Sequence, residues 1–273
     1  MEKYNIVKKY YMINIINFLN KIGFSRGRLK KFNSIMLNYY SKKNNIKSFQ
    51  YNYYGKKFNL FPFENATDNK IIISSRKHES HELKFLENLN KKNNSVFLDI
   101  GANMGYYSIM SSEFGFDKIY AIEPLANMHK RIQEHIDMNN LNNLVRLIPY
   151  ALGDQIKNIT MFEEPSNYGG SSLMKSPKRT VTTNVKMITL NKFVKDNLIK
   201  HIDAIKIDVE GYEDKVLMPF FLNTSNTVWP RLVIIEHSQR LEWVDDVIQW
   251  MLNNNYVLVF KSKGNSIFKL NIN

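Results

Sequence analysis

The sequence contains no cysteine among its 273 residues. This absence excludes disulfide bonds, zinc sites with thiolate ligands, iron–sulfur clusters and a cysteine nucleophile. Any metal site must therefore use histidine, aspartate or glutamate side chains. Glycine and proline are also scarce, at 11 and 7 residues, while apolar residues make up 44% of the chain. This composition excludes collagen-like, low-complexity and disordered chains and predicts a globular protein with a substantial core.

Long hydrophobic runs are missing as well. The most apolar stretch near the N-terminus covers residues 10–19 and is interrupted by Asn14 and Asn17, whereas a transmembrane helix needs about 20 apolar residues. No small-residue cleavage site follows it, so a signal peptide is not expected. Apolar side chains recur at helical spacing within residues 4–22, which predicts an amphipathic helix. We therefore expect a cytoplasmic protein, with peripheral attachment to a membrane as the alternative.

Acidic residues are nearly absent from the front of the chain. Residues 1–60 hold 13 of the 38 Lys and Arg residues but a single acid, Glu2, whereas residues 61–273 are close to neutral. The net charge of +13 is thus concentrated in one segment. Such a segment favours a polyanionic partner, which could be an anionic membrane surface, a phosphorylated glycan or a nucleic acid. The alternative is a solvated basic surface without a partner.

After the basic segment the pattern changes from helical to extended. Residues 49–54 and 57–63 flank Gly55 and predict a hairpin. Residues 71–73, a run of three isoleucines, predict a short strand. Residues 79–89 return to helical spacing and predict a helix.

From residue 96 onward, apolar strands alternate with helices. The strands read as continuous Val, Ile and Leu runs, which are typical of strands buried on both faces. This pattern predicts an α/β fold with a mainly parallel sheet and helices on each side. A tight turn around Gly264 joins the last two strands, which must therefore be antiparallel. The predicted strands are 96–100, 118–122, 144–148, 202–207, 232–235, 256–260 and 266–270, and the predicted helices are 106–114, 126–138 and 242–252.

One segment breaks this alternation. Residues 158–162 and 180–188 have the pattern of strands, and between them lies a loop at residues 163–179 that is rich in Gly and Ser. Long loops inside compact domains commonly carry function. We therefore expect this loop to help form the binding site of a substrate.

The clearest chemical signal is the segment Asp99-Ile-Gly-Ala-Asn-Met-Gly105, between a predicted strand and a predicted helix. Gly101 and Gly105 permit a tight turn and a close approach of the backbone to a ligand at a helix N-terminus. Their spacing differs from that of the dinucleotide-binding fingerprint. A carboxylate at Asp99 would face a cationic group, such as a sulfonium amino acid, and not a pyrophosphate. Glu123 ends the second strand, where an acid can accept both hydroxyls of a ribose.

These features belong to a longer set of motifs that resembles the FkbM family of S-adenosylmethionine-dependent methyltransferases. The resemblance runs from about residue 79 to the end of the chain and is most specific at residues 205–213, Ile-Lys-Ile-Asp-Val-Glu-Gly-Tyr-Glu. It implies O-methylation of a sugar or related metabolite. The motifs are Asp99–Ser108, Ile122–Pro124, Ala151–Asp154, Gly170–Leu173 and Ile205–Glu213.

The resemblance also implies the architecture. It is that of a Rossmann-like class I methyltransferase, with a mainly parallel seven-stranded sheet and an antiparallel C-terminal hairpin. We predict two parts: a basic, largely helical N-terminal extension at residues 1–65, and the methyltransferase domain at residues 66–273. The family gives no information about the extension, because the resemblance does not reach it.

The resemblance places two sets of site residues at the carboxyl ends of the strands, where ligands bind in doubly wound sheets. Alkylation of an alcohol requires alignment of its oxygen and removal of its proton. Asp208 and Glu210 are expected to face the methyl group, and His237 ends the next strand at the same rim, so these three are the candidate catalytic residues. The predicted residues for binding S-adenosylmethionine are Glu82, Asp99, Gly101, Asn103, Gly105, Tyr106, Glu123, Pro124 and Ala151.

Several alternatives stay open at this point. Asp208, Glu210 and Glu236 could supply oxygen ligands for Mg²⁺, although nothing in their spacing demands a metal. An RNA ribose methyltransferase could use the basic segment to bind its substrate. A non-catalytic scaffold could retain the donor fold. Base methylation is disfavoured, because Asp208-Val-Glu-Gly211 stands where such enzymes carry an Asn- or Asp-Pro-Pro-aromatic turn. The sequence specifies neither the acceptor nor the oligomeric state.

Overall fold

The computed structural model describes most of the chain beyond its first part, and the described residues form two compact units. One unit holds the described residues up to Ser80 together with residues 167–169, and the other holds residues 81–164 and 170 onward. The predicted amphipathic helix and most of the basic extension lie outside the described residues, so the extension and its boundary after residue 65 stay predictions. The described residues are 39, 43, 46–61, 65–73, 77–164 and 167–271.

The first unit contains the predicted hairpin. Strand β1 (Phe49–Tyr53) pairs antiparallel with β2 (Lys56–Leu60). The two residues between the strands, Tyr54 and Gly55, have φ angles of +49° and +82°. Positive φ at both central residues is the mark of the tight turn whose twist matches that of a hairpin. The hairpin prediction is confirmed.

The strand predicted at residues 71–73 is wrong, because these residues end a helix, α1 (Ala66–Ile73). The Asn65 side chain accepts a 2.9 Å hydrogen bond from the backbone N–H of Thr67, as a helix N-cap does. Ile71 and Ile72 are buried. A short apolar run is compatible with either a buried strand or a buried helix turn. Here the N-cap at Asn65 favours the helix.

The second unit is built around ten strands and holds all but the first residue of helix α2 (Ser80–Glu87). This helix confirms the one predicted at residues 79–89. Most predicted strands are found within one or two residues of their expected bounds. The strands are β3 (Val96–Ile100), β4 (Lys118–Ile122), β5 (Val145–Ile148), β6 (Ala151–Gly153), β7 (Lys157–Glu163), β8 (Val181–Thr189), β9 (Ala204–Ile207), β10 (Leu232–Glu236), β11 (Tyr256–Lys261) and β12 (Asn265–Leu270).

Seven of these strands form one sheet in the order β11-β12-β10-β9-β3-β4-β5. All neighbouring pairs from β10 to β5 are parallel, while β12 is antiparallel to both β10 and β11. The predicted mainly parallel sheet with an antiparallel C-terminal hairpin is therefore confirmed. Strands β9 and β3 lie side by side in the middle, which is where the chain reverses the direction in which it adds strands. Ligands bind at such a switch point.

A second sheet of three strands follows the order β6-β8-β7, with β6 parallel and β7 antiparallel to β8. The strands predicted at residues 158–162 and 180–188 correspond to β7 and β8. The loop between them carries the Gly- and Ser-rich residues. Strand β6 has no counterpart in the sequence prediction.

Helices flank the strands of the large sheet. The helix predicted at residues 106–114 is a short α-helix followed by a 3-10 turn at Ser111–Glu113, and the one predicted at 242–252 begins later, after a 3-10 turn at Arg240–Glu242. Two helices, at 190–196 and 213–222, were not predicted. The helices are α3 (Tyr106–Met110), α4 (Ala126–Met138), α5 (Leu190–Asp196), α6 (Glu213–Leu222) and α7 (Val247–Asn253).

The core of the second unit lies between the large sheet and these helices. Every residue of β3 and β9 is buried, and β10 is buried up to Ile235. Burial on both faces explains the continuous apolar sequences of these strands. In the part of the chain that the structure describes, no helix is both long and apolar enough to cross a bilayer.

Candidate functional site

A tight turn connects β3 to α3 at the centre of the large sheet. Gly101 and Gly105 have φ angles of +74° and +82°, and Asn103 between them has +54°. The N–H groups of Gly101 and Ala102 both donate to the carbonyl oxygen of Ile122, at 2.9 and 3.0 Å. The turn is thereby fixed to the end of β4. The predicted glycine turn is present, and its backbone conformation is one that glycine adopts without strain.

Gly101 also touches the end of the neighbouring strand β9. A Cβ atom at Gly101 would lie 1.9 Å from the carbonyl oxygen of Asp208. The N–H of Asp208 donates to the carbonyl oxygen of Ile100 at 3.0 Å. The glycine turn and the segment that begins at Asp208 are thus in direct backbone contact, and no larger residue fits at position 101 without moving one of them.

Asp99 lies one residue before the end of β3 and is almost fully buried, with 2% of its surface exposed. Its Oδ2 accepts hydrogen bonds from the N–H of Ser108 at 2.9 Å and from the Ser108 hydroxyl at 2.6 Å. Burial raises the pKa of Asp99 to about 6, although the bonds from Ser108 oppose the rise. The carboxyl group therefore anchors α3 to the strand, and its predicted contact with a cationic ligand stays a prediction.

Glu123 follows β4 and carries a fixed carboxylate. One oxygen accepts the N–H of Asn103 at 2.9 Å, and the other accepts the N–H of Leu125 at 3.0 Å. Burial raises the pKa of Glu123 to about 7, against these two bonds that lower it. Each oxygen retains a second lone pair, so the carboxylate is oriented in advance for further donors such as the two hydroxyls of a ribose.

Asp208 is the first residue after β9 and has a half-buried side chain. The buried ammonium group of Lys206 lies 3.3 Å from Asp208 Oδ2 and 5.5 Å from the centre of the Tyr107 ring. Lys206 also sits opposite Asp99 in the pairing of β9 with β3. Lys206 therefore pairs with a neighbouring acid.

A strained turn follows Asp208. Glu210 and Gly211 have φ angles of +55° and +99°. Glu213, the first residue of α6, holds this turn: its carboxylate accepts the N–H groups of Val209 at 2.8 Å and Gly211 at 3.2 Å, and the indole N–H of Trp243 at 2.9 Å. Burial raises the pKa of Glu213 to about 7. Glu213 is therefore a structural acid that shapes the turn.

The Glu210 side chain points into a partly buried cluster of polar groups. Burial is the main reason why its pKa is raised to about 8, and the nearby carboxylates of Asp208 and Glu236 raise it further. The guanidinium group of Arg179 and the side-chain amide of Gln239 act in the opposite direction. Glu210 thus holds its proton at neutral pH, which makes it a hydrogen-bond donor and a poor base.

Glu236 ends β10 and His237 follows it, at the same edge of the sheet. Glu236 Oε1 accepts the N–H of Ser238 at 3.0 Å, while its buried Oε2 has no hydrogen-bond partner among the residues that the structure describes. Nδ1 of His237 lies 3.1 Å from the Ser266 hydroxyl. Burial lowers the pKa of His237, as do the charges of Lys261 and Arg240. The imidazole is therefore neutral at pH 7 and able to take up a proton.

The remaining predicted donor-binding residues occupy different places. Tyr106 begins α3 directly after the glycine turn, and Pro124 follows Glu123. Ala151 begins β6, in the small sheet. Glu82 is buried and accepts a 3.3 Å hydrogen bond from the side chain of Asn265 on β12, three strands away from β3. The predicted contacts of Glu82 and Ala151 with the donor stay predictions.

A metal at this edge would have to use a different set of acids from the predicted one. Carboxylate oxygens of Asp208, Glu213 and Glu236 lie within 4.8 Å of one another, and Glu210 is not part of this group. The Glu213 carboxylate already accepts three N–H donors, and Lys206 supplies a positive charge beside Asp208. The buried Oε2 of Glu236 has no hydrogen-bond partner among the described residues. These residues do not fit a Mg²⁺ site, and we derive no step through a metal.

Two polar residues at this edge were missed by the sequence analysis. Arg179 ends the loop between β7 and β8, and Gln239 follows β10; both reach Glu210. No sequence signal distinguishes them from other polar residues in loops.

A concavity of about 410 Å³ lies at the opposite edge of the sheet, where β3 and β4 begin, and its lining includes Tyr120 and His201. It is remote from all of the predicted site residues.

A family profile described as "Methyltransferase FkbM domain" matches residues 99–258. No curated protein matches the chain. Among solved structures, the chain is similar to a methyltransferase FkbM from Methylobacillus flagellatus KT, with 14% identity and a TM-score of 0.44. The similarity covers 76% of this chain and 56% of that one, so the chain spans little more than half of that protein.

Two further solved structures show similarity at the same level. One is M. jannaschii TYW2 in complex with AdoMet, with 14% identity, a TM-score of 0.40, and coverage of 82% of this chain and 87% of that one. The other is an rRNA methylase from Streptococcus thermophilus, with 9% identity, a TM-score of 0.44, and coverage of 72% and 98%.

Proposed function

Because the chain belongs to the FkbM methyltransferase family, we propose that it transfers the methyl group of S-adenosylmethionine to a hydroxyl of a sugar, a glycan or a related metabolite. The observation that carries this proposal is the contact between the glycine turn and Asp208. Gly101 leaves no room for a side chain against the Asp208 carbonyl oxygen, and Asp208 N–H is bonded to Ile100. A donor bound at the turn would therefore end beside Asp208.

The residues of the turn fit a donor that carries a ribose and a cationic amino acid. Glu123 would accept the ribose hydroxyls, since two backbone N–H groups already orient its carboxylate. Hydroxyl donors favour the ionised form and would lower the raised pKa of this group. Asp99, in β3 just before the turn, would supply negative charge to the cationic amino acid. Asn103, Gly105 and Tyr106 lie where α3 begins and would contact the donor there.

The chemistry is a displacement at carbon. When bound, S-adenosylmethionine supplies an electrophilic methyl group: the acceptor oxygen bonds to this carbon, the carbon–sulfur bond breaks with its electron pair going to sulfur, and the hydroxyl proton departs. Asp208 is our first candidate to receive that proton, because its side chain is 40% exposed and the residue lies against the glycine turn. His237 is the second, because its lowered pKa leaves the ring neutral. Glu210 keeps its own proton and would instead donate a hydrogen bond to the acceptor.

Methyl transfer from labelled S-adenosylmethionine tests the proposal. The purified protein is incubated with separate glycan, lipid and RNA fractions, and the label in each fraction is counted. We expect label in the glycan or lipid fraction, and expect Asp208→Asn to lower it while S-adenosylhomocysteine still binds. Label in RNA alone would overturn the choice of acceptor. Binding of S-adenosylhomocysteine without transfer to any fraction would favour the non-catalytic scaffold.

The charge distribution supports an anionic acceptor or surface. Residues 1–60 carry 13 basic residues and one acid. Each basic residue near an anionic surface contributes about 1 kcal/mol, so the segment could hold the enzyme next to a lipid-linked or phosphorylated acceptor. An RNA ribose is the alternative acceptor that the same charge favours, and it predicts binding that weakens steeply with salt.

A further inference from the structure

The loop between β7 and β8 is organised by one side chain, Arg179. Its guanidinium group is nearly buried, with 9% of the side chain exposed. Nε donates to the carbonyl oxygen of Gly170 and Nη1 donates to that of Met174, both at 2.7 Å. Arg179 thus ties its own end of the loop to the beginning and the middle of the same loop. The guanidinium group can make both bonds at once because it presents five N–H donors in a rigid, planar arrangement.

The same guanidinium group extends to the turn that follows β9. Nη2 of Arg179 lies 3.6 Å from Oε2 of Glu210. A second link joins the same two segments, because the hydroxyl of Ser172 donates to the backbone carbonyl of Glu210 at 2.8 Å. Ser172 is itself held by two backbone hydrogen bonds to Phe162, at 2.9 and 3.0 Å. The loop and the turn are therefore joined through both the side chain and the backbone of Glu210.

Glu210 is the point where three segments meet. The side-chain amide of Gln239, after β10, donates to the Glu210 oxygen that Arg179 also faces. Glu210 has a φ of +55°, which costs a residue with a side chain about 1 kcal/mol or more unless its surroundings hold it. Asp208 lies two residues earlier in the same turn. The contacts of Glu210 therefore add to the hydrogen bonds with Ile100 and Glu213 that hold this turn.

We propose that Arg179 is a positioning residue: through Glu210 it couples closure of the loop at residues 170–179 to the geometry of the turn at residues 208–211. The inference rests on the proposed function, in which this turn faces the reacting groups. The loop would close over an acceptor and the same contact would set the turn for methyl transfer. If an acceptor displaced the loop, the site would lose both the closed loop and the geometry of the turn.

Hydrogen exchange, measured by mass spectrometry in the presence of S-adenosylhomocysteine, tests this coupling without a known acceptor. The test variant is Arg179→Met, and the matched control is Lys178→Met, which removes the neighbouring exposed charge from the same loop. We expect exchange to be roughly tenfold faster in peptides from both 170–178 and 208–212 in Arg179→Met, and unchanged in the control. Faster exchange in the loop alone would overturn the proposal, because it would show a local role only.

A double-mutant cycle with Glu210→Ala, which removes the whole carboxyl group, separates coupling from general loosening. If Arg179 acts through Glu210, the double variant exchanges no faster at residues 208–212 than Arg179→Met does. If the two substitutions instead multiply each other's effect on the exchange rate at residues 208–212, the proposal is overturned. Guanidinium ions at low millimolar concentration should restore protection to Arg179→Ala, while sodium chloride at equal ionic strength should not. Should Arg179→Met fail to fold, Arg179→Lys replaces it, with the same expectation in both peptides.

The two proposals fail in different ways. Calorimetry with S-adenosylhomocysteine reports the donor site, which contains no residue of the loop, and we expect all Arg179 variants to bind within about threefold of wild type. Absence of binding in wild type would refute the proposed function. Normal binding in every variant, with exchange at residues 208–212 unaffected, would refute the positioning role alone.

Discussion

Replacement of Gly101 by alanine should disrupt the glycine turn and thereby weaken binding of S-adenosylhomocysteine. The added Cβ would lie 1.9 Å from the carbonyl oxygen of Asp208 and 2.9 Å from its carbonyl carbon. Because non-bonded carbon and oxygen atoms need more than about 3 Å, the ends of β3 and β9 would have to move apart by about 1 Å. The hydrogen bond from Asp208 N–H to Ile100 opposes that movement.

The expected magnitude has two parts. The φ of +74° costs an alanine about 1–2 kcal/mol, and forcing an extra carbon into a packed contact costs about 1–3 kcal/mol more. If the strand ends move instead, the glycine turn no longer presents its backbone to the donor. We expect Gly101→Ala to weaken S-adenosylhomocysteine binding by more than about 100-fold, which corresponds to roughly 2.7 kcal/mol.

Gly115→Ala is the matched control. Gly115 has a φ of +77°, and a Cβ there would meet no atom within 4 Å among the described residues. The Gly115→Ala variant therefore has the same unfavourable positive φ as Gly101→Ala but no steric clash. Calorimetry and thermal unfolding of both variants should show normal S-adenosylhomocysteine affinity for Gly115→Ala, with a melting temperature a few degrees lower. Equal affinities in the two variants would refute the assigned role of Gly101.

The other predictions concern the acids of the site and the basic segment. Glu123→Ala should weaken S-adenosylhomocysteine binding by about 1.5–3 kcal/mol, the scale for hydrogen bonds to a charged group. Since the pKa of Glu123 is raised to about 7 in the free protein, wild-type affinity should increase as pH rises from 6 to 8, and Glu123→Gln should lose this dependence. The stability of the free protein should change in the opposite direction: a raised folded pKa favours the protonated form, so stability is lost as pH rises through about 7. Glu123→Gln should make that part of a thermal-unfolding profile less steep without flattening it, because the pKa of Glu213 is also raised to about 7. Asp208→Asn or His237→Ala should lower turnover by about 100-fold or more with donor affinity nearly unchanged; unchanged turnover in both would move the base elsewhere, with Glu236 next to be tested, and an effect of EDTA on the rate would contradict our reading of the acids. Deletion of residues 1–45 should abolish flotation with anionic vesicles, which should also be lost in about 0.5 M salt, where charges are screened within a few Å; binding to neutral vesicles would contradict this.

The central strands could be predicted from the sequence because burial on both faces leaves a clear apolar signature. The segment from Asp99 to Gly105 was equally readable, since positive φ angles and close backbone contact select glycine. The isoleucines at 71–73 were misread because apolar content alone does not separate a short strand from a helix turn. Helix α5 had a readable signal that was overlooked: Thr189 caps it by accepting the N–H of Lys192 at 3.1 Å. Helix α6 contains Pro219, which argues against a helix when the sequence is read alone.

The sequence was sufficient to predict which strand ends carry the site residues, but not which side chains these residues contact. Asp208 and His237 do lie at the carboxyl edge of adjacent strands, as the alternation of strands and helices requires. The sequence could not show that Glu213, and not Glu210, converges with Asp208 and Glu236, because this depends on the positive φ at Glu210. Nor could it place Arg179 against Glu210, since loop paths depend on contacts between residues far apart in the chain.

Titration calorimetry with S-adenosylhomocysteine and, separately, with NAD tests the central claim most directly. We expect one S-adenosylhomocysteine site per chain, lost in Gly101→Ala and retained in Gly115→Ala, with no heat from NAD. Binding of NAD without binding of S-adenosylhomocysteine would contradict the account, because the turn from Asp99 to Gly105 would then serve a dinucleotide and not a methyl donor.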